Sequence, residues 1–188
     1  MGAEIKRIIL GSGNTYCMEF TGAVPEVEDI CKDENLLGYI SGGATVEYKP
    51  TYYTAKDDQG VCEKTILTDE EVLFKTGVLT FNGNTLAKLC STGRVTDSSD
   101  GKKRTVLIGG VKNSDGKKYV ICFHHHDAID GDIWLIIVGN NQSGFALAFA
   151  KDKETVIDAE FKALSQDNDG TLIKYIEEIK TATVTEGD

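Results

Sequence analysis

The residues best suited to chemistry in this chain are three consecutive histidines, His124, His125 and His126. In a β-strand alternate side chains share a face, so His124 and His126 would point the same way. Asp130 or Asp132 offers a third ligand across the following turn, and these residue types suit a zinc or iron site. However, the chain has only three histidines in 188 residues, and no second ligand cluster accompanies them. We therefore expect a solvated strand end without a metal ion.

Other patterns that would indicate a cofactor or ion site each lack a necessary residue. The acidic stretch 167–170 partly matches a calcium-binding loop, but Ile176 occupies the position of the bidentate glutamate. Gly11 and Gly13 are followed by Tyr16 where a dinucleotide-binding loop has its third glycine. The sequence therefore predicts no catalytic residues, no cofactor and no metal, and thus a protein that is not an enzyme.

Cysteine usage and hydropathy indicate the compartment. The five cysteines are widely spaced and contain no C-x-x-C pair, which favours reduced and mostly buried thiols. Cys122 would share a face of an apolar strand with His124, where a core thiol is a better interpretation than a nucleophile. The sequence contains neither a signal peptide nor an apolar run of about 20 residues. We therefore expect a soluble protein made in the cytoplasm, with no membrane partner.

Charge constrains the relation of this protein to nucleic acid. The chain has 20 Lys and Arg against 30 Asp and Glu, a formal net charge of −10. Tight DNA binding requires clustered cations that neutralise phosphates, and no such cluster is present in the sequence. This composition argues against a DNA-binding role, but it is compatible with a channel through which DNA slides without sticking.

The elements that would position these residues are mainly strands. Two long segments, 43–56 and 61–81, flank a DDQG turn and predict one unusually long hairpin. Strands are usually about 5–6 residues long, so arms of this length should extend beyond the body of the domain. Pro50 fits an edge strand or a bend. An isolated hairpin is marginal in water, so another subunit is expected to cover it.

The rest of the chain predicts a β-sandwich or barrel with one flanking helix over 83–91, capped by Asn82 or Asn84. A single helical turn or loop is expected within 26–37. The pattern predicts one domain over 1–180 and a flexible tail over 181–188. The apolar segments IWLIIV and FALAFA should be strands covered on both faces. The predicted strands, besides the hairpin, are 3–10, 14–20, 103–109, 117–125, 131–139, 144–150, 155–164 and 171–179.

Several segments, taken in order, resemble the major tail-tube protein family of bacteriophages. They are GGATVEY at 42–48, TGVLTFNG at 76–83 and the region 139–179. The most distinctive piece of that region is DAEFKA at 158–163, followed by DGTL at 169–172. The resemblance spans roughly residues 38–179, and its motifs have no catalytic content.

That resemblance implies a β-sandwich subunit assembled into six-membered rings that stack into a tube. Residues 50–70 match the family's hairpin arm, which reaches toward the adjacent ring. Sheath, tape-measure and tail-tip or baseplate proteins are then expected partners in a virion tail assembled in the bacterial cytoplasm, and DNA passes through the lumen only transiently. Lumen-facing candidates are Asp158, Glu160 and Lys162. Arm candidates are Pro50, Thr51, Tyr52, Tyr53, Asp57, Asp58, Thr68, Asp69 and Glu70.

Two alternatives from other functional classes stay open at this point. One is a monomeric β-sandwich module that binds a ligand such as a carbohydrate. It would need exposed aromatic residues on one face, and Tyr48, Tyr52 and Tyr53 form the only such group in the sequence. The other is a metal-dependent enzyme built on the histidine run.

Overall fold

The computed structural model describes residues 8–180, which form ten strands and two short helices. No helix in that range combines the length and apolar composition needed to span a membrane. The helices are α1 (Val27–Ile30) and α2 (Gly83–Lys88). The strands are β1 (Asn14–Glu19), β2 (Leu36–Gly38), β3 (Ile40–Lys56), β4 (Glu63–Val78), β5 (Arg94–Asp97), β6 (Arg104–Leu107), β7 (Tyr119–His125), β8 (Ile133–Asn141), β9 (Ile157–Leu164) and β10 (Lys174–Glu177).

Eight of these strands form one antiparallel sheet in the order β2-β1-β7-β8-β9-β4-β3, with β10 attached to β8. The sheet forks at β8, because residues 133–136 pair with β10 while residues 138–141 pair with β9. Strands β5 and β6 form a separate two-stranded ribbon. The predicted mainly β fold is confirmed.

The sheet curls over itself around the main core. Phe74 on β4 and Phe123 on β7 have ring centroids 6.4 Å apart, although β9 and β8 lie between their strands in the sheet order. Phe161 on β9 lies 6.3 Å from Phe74 and joins the same aromatic group. Leu89, at the end of α2, packs into this core. A sheet that brings non-adjacent strands together in this way produces the sandwich-like or barrel-like packing that the sequence predicts.

Strands β7 and β8 separate the main core from a second, smaller one. Ile121 and Ile137 point into the main core, whereas their neighbours on each strand point to the opposite face. Ile30 of α1 covers that opposite face. The prediction that IWLIIV is a strand covered on both sides is therefore confirmed. The second core contains Tyr16, Ile30, Val120, Cys122, Ile136 and Val138.

The long hairpin has 17 residues in β3 and 16 in β4, paired from Ile40 opposite Val78 to Lys56 opposite Glu63. Every residue from 48 to 70 is exposed, so this part of the hairpin projects beyond the packed body. We call residues 48–70 the arm. Strand β3 is the last strand of the sheet order, which gives Pro50 the edge position that its missing N–H requires.

Two predicted elements are shorter than expected. The helix predicted over 83–91 ends at Lys88, because the chain tightens into successive turns and folds back at Gly93. A Cβ atom at Gly93 would lie 2.9 Å from Ala87 Cα, so the reversal requires glycine there. Asn82 is the N-cap, and its side chain accepts hydrogen bonds from the amides of Asn84 (2.9 Å) and Thr85 (3.2 Å). The last strand, predicted over 171–179, is reduced to Lys174–Glu177.

The predicted strand over 144–150 is wrong, because these residues are irregular. Both edges of β9, the next strand along the chain, are already paired with β8 and β4, so FALAFA cannot pair with β9. Of the predicted strand 3–10, residues 8–10 are not a strand and 3–7 lie outside the described residues. The tail 181–188 also lies outside them. Strands β2 and β5 were not predicted, whereas the helical turn expected within 26–37 is α1.

Candidate assembly surface and the histidine cluster

The arm carries an apolar pair on each of its two faces. Tyr52 lies opposite Leu67 on the face that continues the core-facing side of β3 and β4. Tyr53 lies opposite Ile66 on the other face. The side chains of Tyr52 and Leu67 are 59% and 45% exposed. An aromatic side chain paired with an aliphatic one across two strands stabilises the pairing of β3 with β4. Exposure on both faces nevertheless leaves apolar surface uncovered.

Polar contacts hold the arm in a regular ladder. The Tyr48 hydroxyl donates to Glu70, and the hydroxyls of Thr54 and Thr65 lie 2.9 Å apart. At the tip, the Cys62 amide donates to Asp57 Oδ1 at 2.8 Å. Exposed contacts of this type contribute little stability each. They nevertheless give the arm a defined shape before any partner covers it.

Besides Tyr52 and Tyr53, the predicted arm residues lie in two cross-strand pairs, a bulge and the turn at the tip. Pro50 faces Glu70 and Thr51 faces Asp69. Thr68 is the additional residue at a bulge, and its hydroxyl donates to the Thr51 carbonyl at 3.1 Å. Asp57 begins the tip turn, which also contains Asp58.

The predicted lumen residues lie on the face of β9 opposite the core. There, Lys75 bridges two carboxylates, 3.2 Å from Glu47 and 3.4 Å from Glu160. Lys162 lies 2.8 Å from Glu71, and Asp158 is exposed at the start of the row. We call this face the charge ladder; its ionisable residues are Glu47, Lys49, Glu71, Lys75, Asp158, Glu160 and Lys162.

Hydrogen bonding favours the ionised form of two carboxylates of the charge ladder, Glu160 and Glu47. Ser143 donates to Glu160 at 2.7 Å, and this bond, together with Lys75, lowers the pKa of Glu160. Hydrogen bonds from Lys49 and Lys75 lower the pKa of Glu47 in the same way. The face is therefore a mixed-charge surface, rather than the purely acidic one that the net charge of the chain suggests.

A shallow groove lies beside the charge ladder. Its walls are glycine, serine, threonine and charged residues, including Gly43, Thr45 and Ser143. No aromatic side chain is among the residues that line it. The groove consequently lacks the flat apolar platform on which a sugar ring would stack.

The three histidines have three different environments. His125 is 5% exposed, and its Nδ1 lies 2.8 Å from the Ser12 carbonyl. His124 Nε2 lies 2.7 Å from Asp132 Oδ2, and His126 Nδ1 lies 2.8 Å from Asp132 Oδ1. Only His126, at 73% exposed, matches the predicted solvated strand end. The expectation is wrong for His125, which the N-terminal segment covers.

Asp132 is held as a carboxylate at the centre of this cluster. Burial on its own raises the pKa of Asp132, but hydrogen bonds from His126, His124 and the Asp127 amide outweigh it and lower the pKa to about 2. The His124 ring is stacked on Trp134, with centroids 5.0 Å apart and planes at 9°. Sequence reasoning missed the role of Trp134, although it lies directly opposite His124 on the neighbouring strand.

The cysteines are free, and most are at least partly buried. Burial raises the pKa of Cys17 to about 12. Cys31 and Cys122 have sulfur atoms 3.9 Å apart, which lowers the pKa of Cys31 and raises that of Cys122. Cys62, in the arm, is exposed. The prediction of mostly buried thiols therefore fails only in the arm.

Fold and surface together define a mainly β protein with a curled antiparallel sheet, a projecting hairpin and a mixed-charge face. No protein-family model matches the sequence, and a search of curated proteins found no match.

Proposed function

We propose that this protein is the structural subunit of a phage or phage-derived tail tube, which polymerises as stacked hexameric rings around a channel for DNA. The observation that carries the proposal is the arm, in which every residue from 48 to 70 is exposed and each face bears an apolar pair. The protein acts through assembly and catalyses no reaction.

The arm supports assembly because its two faces need two covering surfaces. Tyr52 and Leu67 require one partner surface, and Tyr53 and Ile66 require another on the opposite side. Full burial of a large apolar side chain stabilises a contact by about 1.5–3 kcal/mol. An arm inserted between two neighbouring subunits would bury both pairs. Repetition of that contact around a ring would stabilise the whole assembly without increasing the affinity of any single contact.

The sheet edges support assembly as well. Strand β3 is 17 residues long and forms one edge of the sheet, whereas the opposite edge, β2, has only three residues. A long free edge is an aggregation hazard unless a partner pairs with it or covers it. Head-to-tail contact between different edges of identical subunits produces a closed ring when the rotation closes, and head-to-tail contact that does not close produces a filament.

The charge ladder suits the wall of a DNA channel. Its lysines are already engaged: Lys49 by Glu47 at 2.7 Å, Lys75 by two carboxylates, and Lys162 by Glu71. A DNA phosphate would therefore have to displace a carboxylate before it could bind a lysine. Because phosphate affinity depends on available cations, such a wall would hold DNA weakly and let it slide.

The sheath, tape-measure and tail-tip or baseplate proteins belong to the same proposal, as partners of the assembled tube. The arm, the free β3 edge and the irregular segment 144–150 are three surfaces that suit contacts between subunits and with these partners. Phe149, in that segment, is 82% exposed.

The alternative, a monomeric carbohydrate-binding module, has weaker support. Tyr48 and Tyr52 share one face of the arm, but Tyr53 lies on the other, so the three rings form no single platform. The groove beside the charge ladder lacks aromatic side chains as well.

Sedimentation velocity over a range of protein concentrations separates the two functions. A tube subunit should form particles much larger than the 20.4 kDa chain as concentration rises. Removal of residues 51–68, with the hairpin closed by a short turn, should leave a folded monomer that does not assemble. A wild-type chain that stays monomeric at every concentration, even with tail-tip proteins co-expressed, would contradict the proposal.

A further inference from the structure

Three side chains at the β7–β8 hairpin converge on one point, away from the arm. His124 Nε2 and His126 Nδ1 each face one oxygen of Asp132, and one ligand atom from each residue lies within 4.8 Å of the other two. We propose that His124, His126 and Asp132 bind a single divalent transition-metal ion of the zinc class. This site does not depend on the proposed assembly.

The donor set selects the class of ion. Two imidazole nitrogens and one carboxylate oxygen suit Zn²⁺, Co²⁺, Ni²⁺ or Cu²⁺, whereas Ca²⁺ and Mg²⁺ prefer oxygen ligands alone. Zinc–nitrogen and zinc–oxygen bonds of about 2.0–2.2 Å separate neighbouring ligand atoms by roughly 3.0–3.5 Å. The His–Asp contacts of 2.7 and 2.8 Å would need to open by less than about one ångström, a small side-chain movement. The ion would replace two hydrogen bonds, and each neutral ring would then carry its proton on the other nitrogen.

Two of the three ligands are positioned before any ion binds. The stack of His124 on Trp134, at 5.0 Å and 9°, fixes the plane of the imidazole. The Asp127 amide donates to Asp132 Oδ1 at 3.0 Å, and the Asp132 amide donates to Glu178 at 3.2 Å. Contacts that orient ligands in this way reduce the ordering needed on binding and contribute to affinity.

The third ligand provides access. The side chain of His126 is 73% exposed, whereas those of His124 and Asp132 are 18% and 15% exposed. A hydrated ion can therefore reach the cluster from the side of His126. Three protein ligands would leave at least one position on the ion for water, as in zinc sites that are not purely structural.

Trp134 supplies a direct probe, because it is the only tryptophan in the chain and touches a proposed ligand. Co²⁺, which is paramagnetic and occupies zinc sites, should quench its fluorescence in a saturable way at one equivalent. Zn²⁺ should displace Co²⁺ and restore the signal. The protein should carry no polyhistidine tag and should have Cys62→Ser, which removes the exposed thiol of the arm.

Two substitutions separate metal ligation from simple hydrogen bonding. His124→Gln and His126→Asn each keep an N–H near the position of the ring nitrogen that faces Asp132, but they remove the imidazole ligand. Each should weaken Co²⁺ binding by about tenfold or more. Glu19→Gln lies at the end of β1 that pairs with Tyr119, away from His124; it should leave binding unchanged and serves as a matched control.

A melting curve tests metal ligation by these histidines independently of fluorescence. Zinc should raise the melting temperature of the Cys62→Ser protein and should have little effect on the His126→Asn variant, while both should fold in a chelator. Quenching that never saturates would overturn the proposal. So would quenching in His124→Gln and His126→Asn that equals the quenching in the protein with both histidines. That result would identify the cluster as hydrogen-bonded residues without metal affinity.

Discussion

Tyr52 and Leu67 lie opposite each other across the arm, and both side chains remain about half exposed. Their pair sits on the face that runs continuously into the buried residues of β4, such as Val72 and Phe74. The apolar character of the core-facing side therefore extends past the end of the core. A monomer gains little from apolar surface placed there, whereas an assembled subunit could bury it.

The double substitution Tyr52→Ser, Leu67→Ser should abolish assembly without unfolding the chain. Both side chains are about half exposed and lie outside the core, so the free energy of unfolding should change by less than about 1 kcal/mol. Sedimentation should show monomers where the wild-type protein forms large particles. Leu107→Ser, in the separate ribbon, removes a similarly exposed apolar side chain and should leave assembly intact. Equal losses in both variants would show that the arm has no special role.

Release of Lys75 should make the charge ladder bind DNA. Glu47→Gln, Glu160→Gln removes both carboxylates that engage this lysine. Because Glu47 also engages Lys49, the variant frees two ammonium groups. They should raise co-sedimentation of DNA with assembled particles at about 50 mM salt, and the effect should disappear at higher salt. Glu19→Gln frees Lys117 on a different surface and should give no such increase. Unchanged DNA retention in the double variant would argue against this face as the channel wall.

Asn82 and Asn84 form a matched pair that tests the helix cap. Asn82 accepts hydrogen bonds from two amides of the first turn of α2, so Asn82→Ala should lower the free energy of unfolding by about 1 kcal/mol. Asn84 contributes only its backbone amide to the cap, and Asn84→Ala should be close to neutral. Chemical denaturation of the two variants measures both values. A larger loss of unfolding free energy for Asn84→Ala than for Asn82→Ala would show that Asn82 is not the residue that caps the helix.

Thiol labelling at pH 7–8 should divide four of the five cysteines into two groups. Cys62 is exposed and Cys31 is half-buried with a lowered pKa, so both should react with an alkylating reagent in the folded protein. The pKa of Cys17 is raised to about 12, which leaves almost no thiolate at neutral pH, and Cys122 is also buried with a raised pKa. Mass spectrometry should find these two unmodified until denaturant is added. Rapid labelling of Cys17 in the native protein would contradict its place in the core.

The parts of the fold that sequence predicted well are those governed by local periodicity. The alternation of β9, with Phe161 inward and Glu160 outward, and the length of the β3–β4 hairpin both follow from patterns within one segment. The error at 144–150 has a different origin: FALAFA has strand composition, but both edges of β9, the next strand along the chain, are already paired with β8 and β4. Edge availability depends on the order of strands in the sheet, which no local pattern encodes.

The contacts within the histidine cluster could be predicted from the sequence only in part, for a similar reason. The sequence places His124 and His126 on one face of a strand, and it offers Asp132 as a possible neighbour. It does not indicate that one carboxylate faces both rings, or that Trp134 stacks on His124. Those relations depend on the register between β7 and β8, in which His124 and Trp134 are partners.

Negative-stain electron microscopy of the concentrated, untagged protein is the decisive measurement for the proposed function. The wild-type chain should form uniform hollow tubes, or rings with a central hole, and the variant that lacks residues 51–68 should form neither. Discrete particles without a central hole, both alone and with co-expressed tail-tip proteins, would contradict the tail-tube function.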